Sequence, residues 1–466
     1  MTKSSGTGPR GRKDAEGAPA GPLRVGIAGL GTVGAGVVEM LSAQAETVSA
    51  VASRGLTVNA VSARDRTRDR GVDLSGMTWF EDPVELAVSD EIDLFVELIG
   101  GTDGPAYDAV TAALRAGKPV VTANKALIAE RGLELAELAE AAGVPLKYEA
   151  AVAGGIPIVK VVRESVRADR VTRIYGILNG TTNFISMLMA QGESYEAALQ
   201  AAQDAGYAEA DPTFDVEGYD AAHKLAILAS ICFGTAVDYA NVHCEGIGSV
   251  TAEDVVAADR LGYAIKLLGV ALHTENGVEQ RVHPTMVPRG SVIAGVNGVR
   301  NAVALEGEHV GPIMLMGRGA GAGPTAASVV SDLLDLARGD TSRPFVVPVA
   351  DLQAPNPASI ADRRGAYYVR FSVFDRLGVF AQIAQRMADG DISLERIVQH
   401  RSGQQLTTNT LAPQMPRELR VDEERTASIE LITHTAREGD LQAAIAAIEV
   451  DGVLTCPPKL IRIESF

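Results

Sequence analysis

LRVGIAGLGTVGAGVVEML, residues 23–41, decides the fold. Leu23, Val25, Ile27 and Ala28 make a short apolar strand. Gly29-Leu30-Gly31-Thr32-Val33-Gly34 then spells GxGxxG, and Val37, Val38 and Leu41 recur at helical spacing. A GxGxxG alone is a weak pattern, and a glycine-rich turn without a ligand also explains it. Between a strand and a helix it carries a mechanism. The glycines let backbone approach a pyrophosphate, and the helix start offers oriented N–H groups.

The segments that follow keep the alternation. TVNAVSARD (57–65), IDLFVELIGG (92–101), PVVTANK (119–125) and PLKYEAAV (145–152) read as strands. YDAVTAALRAG (107–117) and LELAELAEAAG (133–143) read as helices between them. Nearly continuous apolar strands fit a parallel sheet covered on both faces. The expected class is therefore α/β, with a Rossmann-type doubly wound parallel sheet over residues 22–153. Residues 1–21, rich in small residues and Pro, are expected to form a disordered tail.

Beyond residue 153 the texture changes to an α+β domain over 154–323, expected to bind substrate and to dimerise. VTRIYGILNG (171–180) and QRVHPTMVP (280–288) read as strands, and SYEAALQAAQDAG (194–206) and AEDVVAADRLGYAIKLLGVAL (252–272) as long helices. GRGAGAGPTAASVVSDLLDLARG (317–339) is a glycine-rich turn entering a helix, with Pro324 suited to its first turn. Over 324–340 this helix is expected to return to the dinucleotide domain. Prolines at 344, 348, 355 and 357 mark a linker over 341–365. The remainder, 366–466, orders as βαββαβ: YYVRFSVFD, GVFAQIAQRMADG, ISLERIVQHR, ASIELITHT, DLQAAIAAIEV, LIRIES. Within it, PRELRVDEER (416–425) is expected to be a solvated hairpin loop.

Composition narrows the function. A net charge of −17 opposes nonspecific contact with nucleic acid or anionic membrane. No apolar run is long enough to span a bilayer. The three cysteines, Cys232, Cys244 and Cys456, lie far apart without a CxxC pair, which fits a reducing cytoplasm better than a disulfide scaffold.

Several local patterns admit two readings each. The second strand ends at Ser62-Ala63-Arg64, where NAD-binding forms usually carry an acid for the ribose hydroxyls. Arg64 suits a 2′-phosphate and favours NADP, while Asp65 keeps NAD open. Lys125, after Thr122-Ala123-Asn124, stands where strand ends border a ligand crevice, or is merely a charge at a helix start. EAAVAGGIP (149–157) is a hinge of small residues, or offers Glu149 and backbone carbonyls to a hard cation. Asn179-Gly180-Thr181-Thr182-Asn183 fits a capped turn, and Gly206-Tyr207-Ala208-Glu209 a helix end. Asp220 and Lys224 share one helix face, as a solvated pair or as charges held in a pocket.

GLGTVG, TANKAL, EAAVAGGIPI, GILNGTTNFI and GYAEADPTFDVEGYDAAHKLAIL, in that order over residues 22–340, resemble homoserine dehydrogenases. The βαββαβ tail, with Asp375-Arg376-Leu377-Gly378-Val379 between strand and helix, resembles an ACT domain, and no aspartate kinase region precedes the rest. The resemblance implies NAD(P)-dependent interconversion of aspartate 4-semialdehyde and homoserine on the route to threonine and methionine. It makes Lys224 the proton donor to the carbonyl oxygen and Lys125 a group that holds and polarises the substrate beside the cofactor. Glu209 and Asp220, with Gly206 nearby, bind the substrate. The loop ending at Gly321 lies near the nicotinamide. Glu149 with the carbonyls of Val152, Gly154 and Ile156 forms a monovalent cation site, usually sodium. A homo-oligomer, dimer or tetramer, is implied, with threonine as an effector at the ACT domain.

This resolves the 220/224 pair in favour of a pocket. Hydride addition leaves negative charge on the aldehyde oxygen, which an ammonium stabilises and protonates. A zwitterionic substrate also calls for both carboxylates and cations. Two readings compete: another nicotinamide dehydrogenase of amino-acid metabolism, which would not need the 206–228 segment, and a non-catalytic dinucleotide and amino-acid sensor, which would not need intact lysines and carboxylates.

Overall fold

The computed structural model describes residues 21–52, 54–401 and 426–466. The expected N-terminal tail, but for Gly21, and the 416–425 loop lie outside them. The first sheet comprises β1 (Leu23–Ala28), β2 (Leu56–Ser62), β3 (Thr78–Phe80), β4 (Leu94–Glu97), β5 (Val120–Thr122) and β6 (Leu146–Lys147). Its order is β3-β2-β1-β4-β5-β6 and every pairing is parallel. The order reverses between β1 and β4, which opens a crevice at the carboxyl ends of those strands. β4 is wholly buried, as its apolar run requires.

Helix Thr32–Ala43 leaves β1 through the glycine-rich turn. Gly29 has φ +99°, and a Cβ there would stand 2.4 Å from the Leu98 backbone. A Cβ on Gly34 would stand 2.0 Å from the Gly29 carbonyl oxygen. These two positions need glycine for conformation and for close approach, respectively. Helix Ala322–Ala337 packs against Thr32–Ala43, where Val37, Val38 and Leu41 share a core with Ala326, Val329 and Leu333.

The second sheet is mixed. Its strands are β7 (Val171–Ile177), β8 (His243–Cys244), β9 (Tyr263–Thr274), β10 (Gly277–Pro288), β11 (Arg300–Gly307), β12 (Gly311–Arg318), β13 (Arg364–Phe374), β14 (Leu394–Arg401), β15 (Thr426–Thr433), β16 (Ala436–Arg437) and β17 (Lys459–Ile463). Among the described residues the path runs β12-β11-β7-β9-β10-β17-β13-β15-β14, with β16 on β13 and β8 on β10. The last four strands of the path, with helices Val379–Asp389 and Glu438–Val450, form the βαββαβ unit. That unit is joined edge to edge with the central strands, because β17 pairs in parallel with β10. The segment before it is packed down: Phe345 is buried, and Tyr148 donates its hydroxyl to the Pro344 carbonyl at 2.6 Å.

One expected helix is corrected. Residues 252–272 divide into helix Ala252–Arg260 and strand β9. Gly262, at φ +88°, ends the helix. YAIKLLGVAL then pairs with β7 on one side and β10 on the other. Much of β9 is buried, so its apolar run lacks the alternation that marks a half-exposed strand.

Candidate active site

A cavity of about 740 Å3 opens between the carboxyl ends of β4 and β5 and the second sheet. Val33, the Leu98–Gly100 turn and Ala123–Lys125 form its dinucleotide-domain wall; Asn179, Asp220 and Lys224 stand on the substrate-domain side. The loop Arg318–Gly321, leading into helix Ala322–Ala337, closes the third side.

Helix Tyr219–Phe233 carries Asp220 in its first turn and Lys224 one turn on. Both are buried. Lys224 Nζ donates to Asp220 Oδ2 at 2.7 Å and to the Leu178 carbonyl at 2.8 Å. Lys125 Nζ, at the start of helix Lys125–Ala142, lies 3.2 Å from Asp220 Oδ1. Asn179 Nδ2 adds a hydrogen bond to Asp220 at 2.8 Å. Asp220 therefore bridges the two lysines. Burial alone would raise its carboxyl, but the charges of Lys224 and Lys125 and the Lys224 and Asn179 hydrogen bonds outweigh it and hold it at about 2. It stays ionised, and its charge keeps two ammonium groups at one wall.

Asp215 also lines the cavity, and Asn179 Nδ2 donates to it at 2.8 Å. Burial and the nearby Asp220 charge push its carboxyl up. Sequence reasoning passed over Asp215 and read Asn179 only as part of a capped turn. The signal available was the first acid in DVEGYDAAHK, five residues before Asp220, but nothing in that spacing turns both toward one cavity. Asn179 is also the N-cap of helix Gly180–Ala190, its Oδ1 accepting from the Thr182 amide at 2.8 Å. One side chain thus ends a strand, starts a helix and aligns two carboxylates. Glu97 at the end of β4 is a further buried acid, raised by desolvation; it accepts from Ile99 and Gly100 amides and so shapes the turn that lines the cavity.

Gly206 and Tyr207 line the cavity, whereas Glu209 lies exposed on the loop beyond them and does not. Gly321 lines the cavity and has φ +114°. Of the GxGxxG residues, Val33 reaches its wall. A Cβ at Gly31 would meet no atom within 4 Å, and helix Thr32–Ala43 has no side-chain cap, which leaves its start accessible to a phosphate. Arg64 is exposed just past β2. Asp65 Oδ1 is engaged by the Thr67 amide and hydroxyl at 2.9 and 2.7 Å. Arg70, another residue sequence reasoning missed, donates to the Leu30 carbonyl at 3.1 Å and rests over the Trp79 ring at 5.4 Å.

Glu149 is buried, and its two carboxylate oxygens accept from the Val159 and Lys160 amides at 3.0 and 2.8 Å. Burial and Asp332 push it up to about 8. The adjoining turn is unusual, because Ala153 takes φ +54° without being glycine. The Ser328 hydroxyl donates to the Gly154 carbonyl at 2.6 Å. His309 is exposed and pairs with Asp169 at 3.0 Å.

The family model for the homoserine dehydrogenase NAD binding domain matches residues 29–149, and the model for homoserine dehydrogenase matches residues 157–334. The chain belongs to the homoserine dehydrogenase family. It is 43% identical to the homoserine dehydrogenase of Pseudomonas aeruginosa over 455 residues, covering 96% of this chain and 99% of the relative. The corresponding enzyme of Neisseria gonorrhoeae is 40% identical over 452 residues, with 96% and 99% covered. A solved homoserine dehydrogenase from Thiobacillus denitrificans superposes with a TM-score of 0.86 at 40% identity, covering 95% of this chain and 98% of that one. Membership makes the chain a nicotinamide-dependent oxidoreductase of aspartate 4-semialdehyde and homoserine. No helix among the described residues is long and apolar enough to cross a membrane.

Proposed function

We propose that the chain reduces aspartate 4-semialdehyde to homoserine, reversibly, with Lys224 as the proton donor. The bridging of Lys224 and Lys125 by Asp220 at the cavity wall carries this reading. A bound nicotinamide supplies or removes a hydride. Lys224 Nζ holds a proton within the cavity, and its ammonium stabilises the oxyanion that develops. Asp220 orients both lysines at the cavity wall. Lys125, part-exposed and over the Phe214 ring at 5.5 Å, is placed to hold the substrate's carbonyl or carboxylate. Asp220 is already engaged by three donors. Asp215, which accepts from Asn179 Nδ2, is therefore the better placed acid for the substrate ammonium, and we add it to Glu209 and Asp220 in that role.

The glycine turn at Gly29, Gly31 and Gly34, with Leu30, Thr32 and Val33, fits a pyrophosphate, and Gly321 leaves room for the ring. Engagement of Asp65 by Thr67, together with exposed Arg64, supports NADP over NAD. The carbonyls of Val152, Gly154 and Ile156 beside buried Glu149 support a monovalent cation, sodium by the family resemblance; oxygen donors suit such an ion. The Glu149 carboxylate is turned to the Val159–Lys160 amides, so the carbonyls would be the main ligands. The βαββαβ unit, in the sheet order β17-β13-β15-β14, supports an ACT domain with threonine as effector. A cytoplasmic homo-oligomer completes the reading.

The test follows absorbance of NADPH and NADH, in parallel, with aspartate 4-semialdehyde. Rapid NADPH oxidation is expected, and slower oxidation of NADH. Tight dinucleotide binding without turnover would move the sensor reading to first place. Saturating threonine that changes neither rate nor Tm would remove the effector.

A further inference from the structure

Asn301 stands near the start of β11, only 1% exposed, at the wall of the active-site cavity. Its Nδ2 donates to the Leu178 carbonyl at 2.9 Å. The same carbonyl accepts from Lys224 Nζ at 2.8 Å. Both lone pairs of that oxygen are therefore in use. Leu178 follows the end of β7 and precedes Asn179, whose side chain holds Asp220 and Asp215. Asn301 thus braces, from β11, the short segment that anchors the lysine and its acid. Gly319, in the loop that closes the third side of the cavity, lies against the Asn301 amide: a Cβ there would stand 2.1 Å from Asn301 Cγ and Nδ2.

The amide is kept at a cost to stability. Its Oδ1 is buried with no hydrogen-bond partner among the described residues. An unpartnered buried acceptor is destabilising, and an apolar side chain of similar shape would avoid that loss. The side-chain bond that offsets it goes to the oxygen that holds Lys224. A lysine ammonium has three N–H donors and no acceptor. Asp220 Oδ2 takes one of them and the Leu178 carbonyl another. The tetrahedral nitrogen is then left with one N–H, whose direction follows from the first two acceptors. Asp220 is held in turn by Lys125 and Asn179. The Leu178 carbonyl is held by Asn301.

We infer that Asn301 is a positioning residue for Lys224: by pinning the Leu178 carbonyl it aims the remaining N–H of the ammonium at the reacting oxygen. The inference rests on Lys224 being the proton donor, as proposed above. Asn301 acts through the carbonyl and transfers no proton itself. Aim matters because a misplacement of about 1 Å can cost a reaction on the order of 10²-fold in rate.

The test is a double-mutant cycle in the full chain: native, Asn301→Leu, Lys224→Ala and the two together. Rates are measured with NADPH and aspartate 4-semialdehyde, NADPH binding by fluorescence titration and Tm by calorimetry. Asn301→Leu should lower kcat by about 10-fold or more with KM nearly unchanged. NADPH affinity should hold, and Tm should stay level or rise. A role confined to the fold would lower Tm and leave kcat in place. On the Lys224→Ala background, Asn301→Leu should change kcat by less than about 2-fold, since the group it aims is gone. A native kcat in Asn301→Leu would overturn the inference, and so would a loss that recurs in full on the Lys224→Ala background. Undiminished kcat in Lys224→Ala would instead overturn the proton-donor reading itself and leave Asn301 nothing to position. If Asn301→Leu does not fold, Asn301→Ala, which removes the amide without adding bulk beside Gly319, carries the same cycle.

Discussion

Lys224 and Asp220 show how two side chains one helical turn apart become a buried ion pair whose acid a second lysine shares. On the proposed mechanism Lys224→Ala should lower kcat by about 10³-fold or more, since it would remove both the proton donor and the charge beside the oxyanion. Lys224→Arg should keep the charge and still fail, because a guanidinium does not release its proton. Steady-state rates, with circular dichroism to verify the fold, would separate the two effects. Asp220→Asn should cost roughly 3–5 kcal/mol, as expected when one partner of a buried ion pair is removed. The native carboxyl is held at about 2 against an ordinary 3.8, so its stabilisation is full well above 3.8 and is lost as pH falls through about 2. Urea unfolding of the native chain and Asp220→Asn should give a gap that is constant near neutrality and narrows in that acid range. The pair itself was legible from i,i+4 spacing and from the resemblance. Its geometry was not, because Leu178 and Asn179 come from another strand end and Lys125 from another domain.

At the scale of elements, the strand–turn–helix at 23–43 is readable because its chemistry is local. Gly29 must take a positive φ next to Leu98, and Gly34 must lie against Gly29. Gly29→Ala should destabilise the fold by at least ~2 kcal/mol and abolish dinucleotide binding, measured by thermal unfolding and by titration with NADPH. The turn around Ala153 and Gly154 is a second element set by its backbone, with both residues at positive φ. If its carbonyls hold sodium, replacing choline chloride by sodium chloride at constant ionic strength should raise Tm by several degrees; an equal Tm in both salts would remove the ion from the account. β9 marks the limit of local reading. Its apolar run carries a helix-compatible pattern, and only pairing with β7 and β10 makes it a strand.

At the scale of the molecule, the two sheets meet at the active-site cavity, and the βαββαβ unit is sewn to the second sheet by β17. Arg462, nearly wholly buried, donates to Glu438 at 2.9 Å and to Glu245 at 2.8 Å, so it ties that unit to the strand at His243–Cys244. Arg462→Met should cost roughly 3–5 kcal/mol by removing the arginine paired with buried Glu438, and should split a single calorimetric transition into two. The sequence by itself determined the alternating parallel sheet, the dinucleotide turn, the order of the C-terminal elements and the lysine–aspartate face, because each rests on spacing within a few residues. Tertiary structure alone decided that Asp215 joins Asp220 in the cavity, that Glu209 stands outside it, that Arg70 braces the glycine turn, and that β17 joins the βαββαβ unit to β10. Those facts depend on which distant segments meet, and burial and hydrogen-bond partners exist only once they have met.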